Sequence, residues 1–186
     1  MTSPLRIGLA GLGTVGIGVL KMLDTNRNDI TQRAGRTIEV TGVSARSRGR
    51  DRGFDISGMA WEDDPVALAA RGDIDVFVEA MGGEDGPAKA AVEAAIVAGK
   101  HVVTANKALL AHHAQAMASA AEKAGVALKF EAAVAGGIPC VKALTEGLAG
   151  NTIQRVMGVL NGTCNYILTE MDRTGADYAD VLADAQ

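Results

Sequence analysis

Aromatic residues are scarce in this sequence, at 3% of its 186 residues. It has two cysteines, Cys140 and Cys164, which form no CxxC motif. This argues against a disulfide scaffold or a zinc site and favours reduced thiols inside a cell. No 18-residue stretch is free of charges and glycine breaks, and the N-terminus lacks the pattern of a secretory signal. We therefore expect no membrane association and a cytoplasmic location.

Neither sign of charge dominates, because 18 basic and 22 acidic residues give a net charge of −4. A mildly acidic chain has no general attraction for nucleic acid. The one short basic run, residues 46–52, has no aromatic side chains interleaved with it, unlike a surface that binds single strands. Nucleic acid is therefore not an expected partner. The absence of a GxSxG motif likewise removes support for serine hydrolase chemistry.

Glycine, by contrast, is abundant at 23 residues, and short apolar runs alternate with alanine-rich helical patterns over residues 5–130. This alternation is typical of βαβ units that form a parallel sheet with helices on both faces. Residues 24–36 are polar and indicate a helix end and a loop. Strands are predicted at Leu5–Ala10, Ile38–Ser44, Asp75–Glu79, His101–Thr104 and Val126–Phe130. Helices are predicted at Thr14–Leu23, Pro65–Ala70, Pro87–Val97 and Ala108–Lys123.

The pattern changes after Glu131, where the glycine-rich sequence AAVAGGIP begins. We therefore predict a first domain over residues 1–133 and a second over residues 134–186. The later elements are predicted to be a helix near Cys140–Leu148, a strand at Ile153–Leu160, and helices at Gly162–Met171 and Tyr178–Gln186.

The motif GLGTVG follows the first predicted strand and opens the first predicted helix, which is the context that gives a GxGxxG pattern its meaning. Gly11 allows the tight turn, Gly13 lets a pyrophosphate approach, and Gly16 lets the helix pack against the strand. The backbone N–H groups of Thr14 and Val15 would then point at the phosphates. The motif predicts a dinucleotide-binding, Rossmann-type doubly wound sheet. A tight turn without a ligand is the less favoured alternative.

The residues after the second predicted strand bear on which dinucleotide binds. An NAD-specific domain usually has Asp or Glu there, but this sequence reads VSARSR and has no acid. Arginine favours the charge-assisted contacts that a 2′-phosphate offers. We therefore expect NADP, with Arg46 as its main contact and NAD as the alternative. Arg48, Arg50 and Arg52 are as readily explained as a solvated loop.

Two further loops follow predicted strands at the carboxyl edge of the sheet, where open α/β sheets bind ligands. Glu79 precedes Met81 and Gly82 in one of them, and is expected to face solvent or to cap the loop. Thr104 precedes Lys107 in the other. A lysine in the first turn of a helix opposes the helix dipole, so we favour a cofactor- or substrate-binding role for Lys107 over a surface role.

The chain resembles homoserine dehydrogenase, on the segments GLAGLGTVG, VEAMGG, VVTANKALLA, FEAAVAGGIPCVKALTEGLAGN and VLNGTCNYILTEM. The last two are too specific for a generic nucleotide-binding domain. The resemblance implies NAD(P)-dependent interconversion of L-homoserine and L-aspartate 4-semialdehyde, in the biosynthesis of threonine, methionine and isoleucine. It also implies a second, α+β domain that binds substrate and forms a homodimer in the full-length protein.

The resemblance assigns roles to individual residues. It implies that Lys107 positions cofactor and substrate and that Gly162 and Thr163 touch homoserine. It further implies that a monovalent cation, usually sodium, binds along a segment after the sheet, largely through carbonyl oxygens. Its residues are Glu131, Val134, Gly136 and Ile138.

The family normally continues beyond a DAQ-like segment to a Glu, an Asp and a Lys that serves as proton donor and acceptor. The sequence given ends at such a segment, so the expectation is an incomplete enzyme with little or no turnover alone. A non-catalytic NADP-binding module, regulatory or paired with another chain, is the alternative function.

Overall fold

The computed structural model describes residues 3–159 and 161–185. It divides into two compact units, one extending through Lys142 and the other starting at Ala143. The boundary expected between residues 133 and 134 stays a prediction. Within the described residues, no helix combines the length and the apolar character that crossing a membrane requires.

The first unit is built on a six-stranded parallel sheet. Its strands are β1 (Leu5–Ala10), β2 (Ile38–Ser44), β3 (Ala60–Glu62), β4 (Val76–Glu79), β5 (His101–Thr104) and β6 (Leu128–Lys129). The order across the sheet is β3-β2-β1-β4-β5-β6, and every neighbouring pair is parallel. The strand order reverses between β1 and β4, the switch point at which such sheets bind ligands. The predicted Rossmann-type doubly wound fold is confirmed.

Helices connect these strands, and polar caps and glycines mark where several of them begin and end. They are α1 (Thr14–Thr25), α2 (Arg27–Ala34), α3 (Pro65–Ala70), α4 (Pro87–Val97) and α5 (Lys107–Ala124). The Asp64 carboxylate accepts a hydrogen bond from the Val66 N–H at 2.9 Å, which caps the start of α3. Left-handed Gly125 ends α5.

The two faces of the sheet carry separate apolar cores, because successive strand side chains point to opposite faces. Leu9 of β1 packs on one face with Leu20 of α1 and Val43 of β2. Its neighbour Ala10 packs on the other face, in the cluster to which α3, α4 and α5 contribute. Small alanine side chains on α4 let that helix lie close to the sheet.

Ion pairs fasten the amino edge of the sheet. The Arg6 guanidinium contacts the Asp75 carboxylate at 2.7 Å, and the Arg6 backbone N–H donates to the same carboxylate at 2.9 Å. These hydrogen bonds lower the pKa of Asp75 to about 2. Arg71 pairs with Asp73 at 2.6 Å and lowers its pKa.

Three features of the first unit differ from the sequence expectation. The polar stretch after α1 contains a helix, α2, which buries none of its residues and so carries no apolar periodicity. Strand β3 is only three residues long and was not predicted. The last strand is shorter than predicted and covers Leu128–Lys129 alone.

The end of the first unit consists of a 3-10 turn at Glu131–Ala133 and the short helix α6 at Cys140–Lys142. Two backbone N–H groups in α6, those of Val141 and Lys142, donate to the Glu131 carboxylate at 3.0 and 2.8 Å. Glu131 therefore caps α6 and fixes the two ends of the segment to each other.

The second unit contains a π-helical turn at Ala143–Gly147, α7 (Gly162–Thr174) and α8 (Tyr178–Ala185). Helices α7 and α8 contact each other, and each buries one side chain, Ile167 and Val181. The strand predicted at Ile153–Leu160 is wrong for residues 153–159, which form no regular structure; Leu160 lies outside the described residues. A strand needs a neighbour for its backbone hydrogen bonds, and the described residues of this unit offer none.

Candidate functional site

The glycine turn between β1 and α1 has two glycines required by packing and one that faces open space. Gly11 has a φ of +95°, and a Cβ there would overlap the carbonyl group of Ala80. A Cβ on Gly16 would overlap the carbonyl oxygen of Gly11. Gly13 has nothing within 4 Å of the Cβ position. The turn therefore leaves room for a ligand above Gly13.

No side chain caps the start of α1, so the N–H groups of its first turn are available to an anion. Thr14 and Val15 provide two of them, and both residues are exposed. This is the arrangement that the GLGTVG motif predicts for a pyrophosphate. Those two residues keep their cofactor-binding role as a prediction.

A cavity of about 400 Å³ opens beside this turn at the carboxyl edge of the sheet. It brings together five of the residues singled out from the sequence: Gly11, Gly13, Arg46, Met81 and Gly82. A neighbouring cavity of about 380 Å³ shares the Gly13 wall and adds Thr14. Four of the predicted cofactor contacts line neither cavity: Val15, Gly16, Thr104 and Lys107.

The loop after β2 contributes arginines to the cavity wall in two different ways. Arg52 is used within the loop, because its guanidinium donates to the carbonyl oxygens of Ser47 and of Arg50, the latter at 2.7 Å. It also lies 5.6 Å from the centre of the Trp61 ring. The guanidinium groups of Arg46 and Arg50 form no hydrogen bond or ion pair with the described residues, yet both line the cavity. Two positive charges are thus left for a ligand.

Sequence reasoning missed the part of this wall that comes from β3 and the start of α3. Asp63 lines the cavity, and its carboxylate accepts from the Trp61 indole N–H at 2.7 Å. Trp61 also lies 5.9 Å from the Arg48 guanidinium. A three-residue strand gives too little alternation to be recognised, so the sequence offered no signal that Asp63 reaches this cavity.

The loops after β4 and β5 are joined by polar contacts. Glu79 is completely buried, so the expectation that it faces solvent is wrong and the alternative that it caps a loop is right. Its carboxylate accepts from the N–H groups of Met81 and Gly82 at 2.7 and 3.1 Å. It also accepts from the Thr104 hydroxyl at 2.6 Å. Thr104 is itself fully buried and contacts no open space.

Lys107 is the first residue of α5 and is exposed. Its ammonium group has no hydrogen-bond or ion-pair partner among residues 3–159 and 161–185. The helix has no acidic residue in its first turn to offset the unfavourable position of this charge. Lys107 is therefore another unpaired cation at the carboxyl edge of the sheet.

The segment expected to bind a cation lies in the first unit, after the sheet. The carboxylate of Glu131 accepts from two N–H groups of α6, and its carbonyl oxygen accepts from the Val134 N–H at 3.3 Å. Val134 and Ile138 are exposed, as is Gly136. No cluster of acidic, histidine or cysteine side chains suited to a metal occurs in the described part of the chain. Any cation here would depend on backbone carbonyls.

Gly162 and Thr163, the residues expected to touch substrate, open α7 in the second unit. The side chain of Asn161 accepts from the Cys164 N–H at 2.8 Å and caps this helix. The sequence NGTC thus forms a local cap that fixes the backbone at both candidate residues.

Comparison with known proteins agrees with the resemblance drawn from the motifs. A family model described as the NAD binding domain of homoserine dehydrogenase matches residues 11–131. A second model, described as homoserine dehydrogenase, matches residues 139–186.

Individual relatives match nearly the whole chain. Homoserine dehydrogenase from Neisseria gonorrhoeae is 50% identical over 183 residues, which cover 98% of this chain and 42% of the relative. The enzyme from Corynebacterium glutamicum is 48% identical over 186 residues, covering 98% of this chain and 41% of the relative. The crystal structure of a homoserine dehydrogenase from Thiobacillus denitrificans superimposes with a TM-score of 0.84 at 46% identity, covering 99% of this chain and 42% of that one.

The chain thus spans about two fifths of the length of the relatives it matches. The family model for the NAD-binding domain covers most of the chain, and it includes the glycine turn, the arginine loop and the Glu79 and Lys107 loops described above. These matches confirm the resemblance inferred from the sequence. The chain belongs to the homoserine dehydrogenase family.

Proposed function

We propose that this chain supplies the cofactor-binding part, and the beginning of the substrate-binding part, of a homoserine dehydrogenase. The reaction is the NADP-dependent interconversion of L-homoserine and L-aspartate 4-semialdehyde. The observation that carries this proposal is the cavity beside Gly13, in a chain of this family, with two unpaired arginine side chains in its wall.

Cofactor preference follows from the charge of that wall. A 2′-phosphate adds negative charge to the adenosine ribose, and Arg46 and Arg50 offer charge-assisted hydrogen bonds to it. β2 ends at Ser44 without the acid that usually holds the ribose hydroxyls of NAD. NADP is therefore the proposed cofactor, with NAD as the weaker ligand.

Each loop has a role in holding the cofactor. The N–H groups of Thr14 and Val15 bind the pyrophosphate, since they open α1 without a side-chain cap. Met81 and Gly82 form the wall on the β4 side, and Lys107 contributes positive charge beside it. Thr104 acts indirectly: its buried hydroxyl donates to Glu79 and does not reach the cavity.

When bound, oxidised NADP would accept a hydride from the alcohol carbon of homoserine. Oxidation also requires a group to take the hydroxyl proton. Gly162 and Thr163 are proposed to contact the substrate and Lys107 to position it. From Glu131 onward the sequence contains one lysine, the exposed Lys142 of α6. We expect these 186 residues to bind cofactor with little or no turnover of homoserine.

The proposed second ligand is a monovalent cation, sodium, bound by the segment after the sheet, because hard cations take oxygen ligands. Ala135 and Gly137 have φ values of +48° and +83° and fold the backbone into a tight turn. The carbonyl oxygen of Val134 has the Cys140 thiol at 4.0 Å as a weak donor. The carbonyl groups of Glu131, Val134, Gly136 and Ile138 are the proposed ligands. A cytoplasmic location and dimerisation of a full-length form stay predictions.

The test of cofactor choice is calorimetric titration of NADPH and NADH into the wild type, Arg46→Ala and Arg50→Ala. The wild type should bind NADPH more tightly. Loss of a charged contact costs about 1.5–3 kcal/mol, so Arg46→Ala should weaken NADPH and leave NADH nearly unchanged. Arg33→Ala, on the exposed face of α2, is the control for a general loss of positive charge.

Tighter NADH binding by the wild type, or equal weakening of both nucleotides by Arg46→Ala, would contradict the assignment. A separate assay follows NADPH formation from homoserine at alkaline pH. Rates typical of a complete dehydrogenase from these 186 residues would remove the expectation of low turnover and would make Lys107→Ala the variant that decides whether Lys107 moves the proton.

A further inference from the structure

Glu79 is a carboxylate with no solvent exposure at the end of β4, and it lines neither cavity beside the glycine turn. A buried charge is costly unless hydrogen bonds replace its hydration. Three donors do so here: the N–H groups of Met81 and Gly82, and the hydroxyl of Thr104. Because the carboxylate is buried and all three of its donors are groups of the protein, Glu79 does not contact the cavity directly.

One side of this carboxylate holds the loop after β4. Its Oε1 accepts both backbone N–H groups of that loop, at 2.7 and 3.1 Å. Gly82 and Gly83 have φ values of +81° and +92°, which are open to glycine and restrict other residues. A loop with two adjacent glycines has many conformations available, and the carboxylate selects one of them.

The other side of the carboxylate holds the start of α5. Its Oε2 accepts from the Thr104 hydroxyl at 2.6 Å, and the same hydroxyl accepts from the Asn106 N–H at 3.0 Å. The Asn106 side-chain oxygen accepts from the Leu109 N–H at 3.0 Å and so caps α5. Lys107, the first residue of that helix, is thus placed by residues connected to Glu79.

The two sides meet again across the cleft. The Asn106 amide nitrogen donates to the carbonyl oxygen of Gly83 at 2.6 Å. Glu79, the loop at residues 81–83, Asn106 and Thr104 therefore form a closed ring of hydrogen bonds. Side chains in such a ring fix one another's orientation, and removing one member affects the others.

We propose that Glu79 is a positioning residue, which holds the β4 loop and Lys107 in one arrangement on the nicotinamide side of the cleft. This inference rests on the proposed function. Dinucleotides bind across the switch point of such a sheet in two halves. The arginine loop after β2 and the Glu79 ring after β4 and β5 lie on opposite sides of that point. Glu79 therefore acts on one half of the cofactor.

Two ligands separate this role from general stability: NADPH, and adenosine 2′,5′-bisphosphate, which contains only the adenosine half. Glu79→Gln keeps the size of the side chain but removes the charge and leaves the Thr104 hydroxyl without its acceptor. It should weaken NADPH binding about tenfold, as expected for loss of hydrogen bonds to a charged group. Binding of adenosine 2′,5′-bisphosphate should stay within about twofold of the wild type.

Two substitutions at Thr104 test whether its hydroxyl is what NADPH binding requires. Thr104→Val removes the hydroxyl and should weaken NADPH to a similar extent, whereas Thr104→Ser retains the hydroxyl and should bind nearly as the wild type does. Asp75→Asn removes a carboxylate at the amino edge and controls for lost stability. Amide hydrogen exchange on the ligand-free chain should show faster exchange at Met81, Gly82 and Asn106 in Glu79→Gln and unchanged exchange there in Asp75→Asn.

The outcomes are distinct. A wild type that binds neither ligand overturns the proposed function. If the wild type binds both and Glu79→Gln binds both equally well, the positioning role is overturned while the proposed function stands. Equal weakening of both ligands by Glu79→Gln, or failure of Thr104→Ser to restore what Thr104→Val loses, also overturns it, because the effect would then not be specific to one half of the cleft.

Discussion

The two edges of the sheet use the same kinds of cation in opposite ways. At the amino edge, Arg6 pairs with Asp75 and Arg71 with Asp73, and Lys100 donates to the carbonyl oxygen of Ile74 at 2.8 Å. At the carboxyl edge, the side chains of Arg46, Arg50 and Lys107 have no such partner within the described residues. Charge at one edge stabilises the fold, and charge at the other is left for a ligand.

The acids of the two edges differ as well. Asp75 at the amino edge is partly exposed, with 31% of its side-chain surface accessible, and its donors include a guanidinium. Glu79 at the carboxyl edge is fully buried and is held by two N–H groups and a hydroxyl. The first arrangement joins two strands. The second shapes two loops, so a substitution at each edge should affect different properties.

Substitution within the glycine turn should produce the largest effects and should separate folding from binding. Gly16→Ala would force a Cβ onto the backbone oxygen of Gly11, which cannot move aside as a flexible side chain could. We expect a loss of roughly 3 kcal/mol or more in the free energy of unfolding, measured by urea denaturation.

Gly13→Val is the matched substitution, because the Cβ of residue 13 meets nothing within 4 Å. We expect a normal urea midpoint and no measurable NADPH binding, since the side chain would occupy the space of the pyrophosphate. Normal NADPH binding by the folded variant would place the phosphate site elsewhere.

Asp75→Asn tests the amino edge of the sheet. We expect it to lower the free energy of unfolding less than Gly16→Ala does and to leave nucleotide affinity unchanged. The pKa of Asp75 is lowered from 3.8 to about 2 by Arg6, so its stabilising contribution is present above pH 4 and is lost as the pH falls towards 2. Allowing for solvent screening, we expect a loss of about 1–2 kcal/mol at neutral pH.

The unfolding free energies of the wild type and Asp75→Asn, measured from pH 6 to about pH 2, should therefore converge at the acid end. A difference that stays constant over this range would mean that the Arg6 contact does not depend on the charge of Asp75. Weaker NADPH binding by Asp75→Asn would show that the two edges are not independent.

His113→Ala should have the smallest effect. The His113 ring nitrogen lies 2.9 Å from the Asp85 carboxylate, and 25% of its side-chain surface is accessible. We expect a loss of about 0.5–1 kcal/mol in thermal or urea unfolding. His112→Ala, whose contact to Glu84 is 3.2 Å long and more exposed, should lose less. A larger loss for His112→Ala would reverse the importance of the two contacts.

The sequence was most informative where prolines, glycines or the lack of an acid mark a boundary or a binding loop. Helix α4 was predicted at its observed bounds, because Pro87 lies in its first turn and Gly99 follows its end. The glycine motif predicted the turn, and the missing acid after β2 drew attention to Arg46. These features are local, so a sequence pattern can express them.

What the sequence could not provide depends on distant partners. Helix α2 buries no residue and so has no apolar stripe to recognise. A carboxylate at a strand end is compatible with solvent or with burial, and the burial of Glu79 depends on Thr104, 25 positions away. Arg46 and Arg52 look alike in sequence, and only the folded loop distinguishes the free guanidinium from the one that donates to Ser47 and Arg50.

Trp61 is the single tryptophan of the chain, and its side chain contacts the arginine loop and Asp63. The guanidinium groups of Arg48 and Arg52 lie 5.9 and 5.6 Å from its centre, and its indole N–H reaches Asp63. Indole emission responds to nearby charge and polarity, so rearrangement of this loop would change the intrinsic fluorescence. The chain thus carries its own optical reporter beside the arginine loop, without an added label.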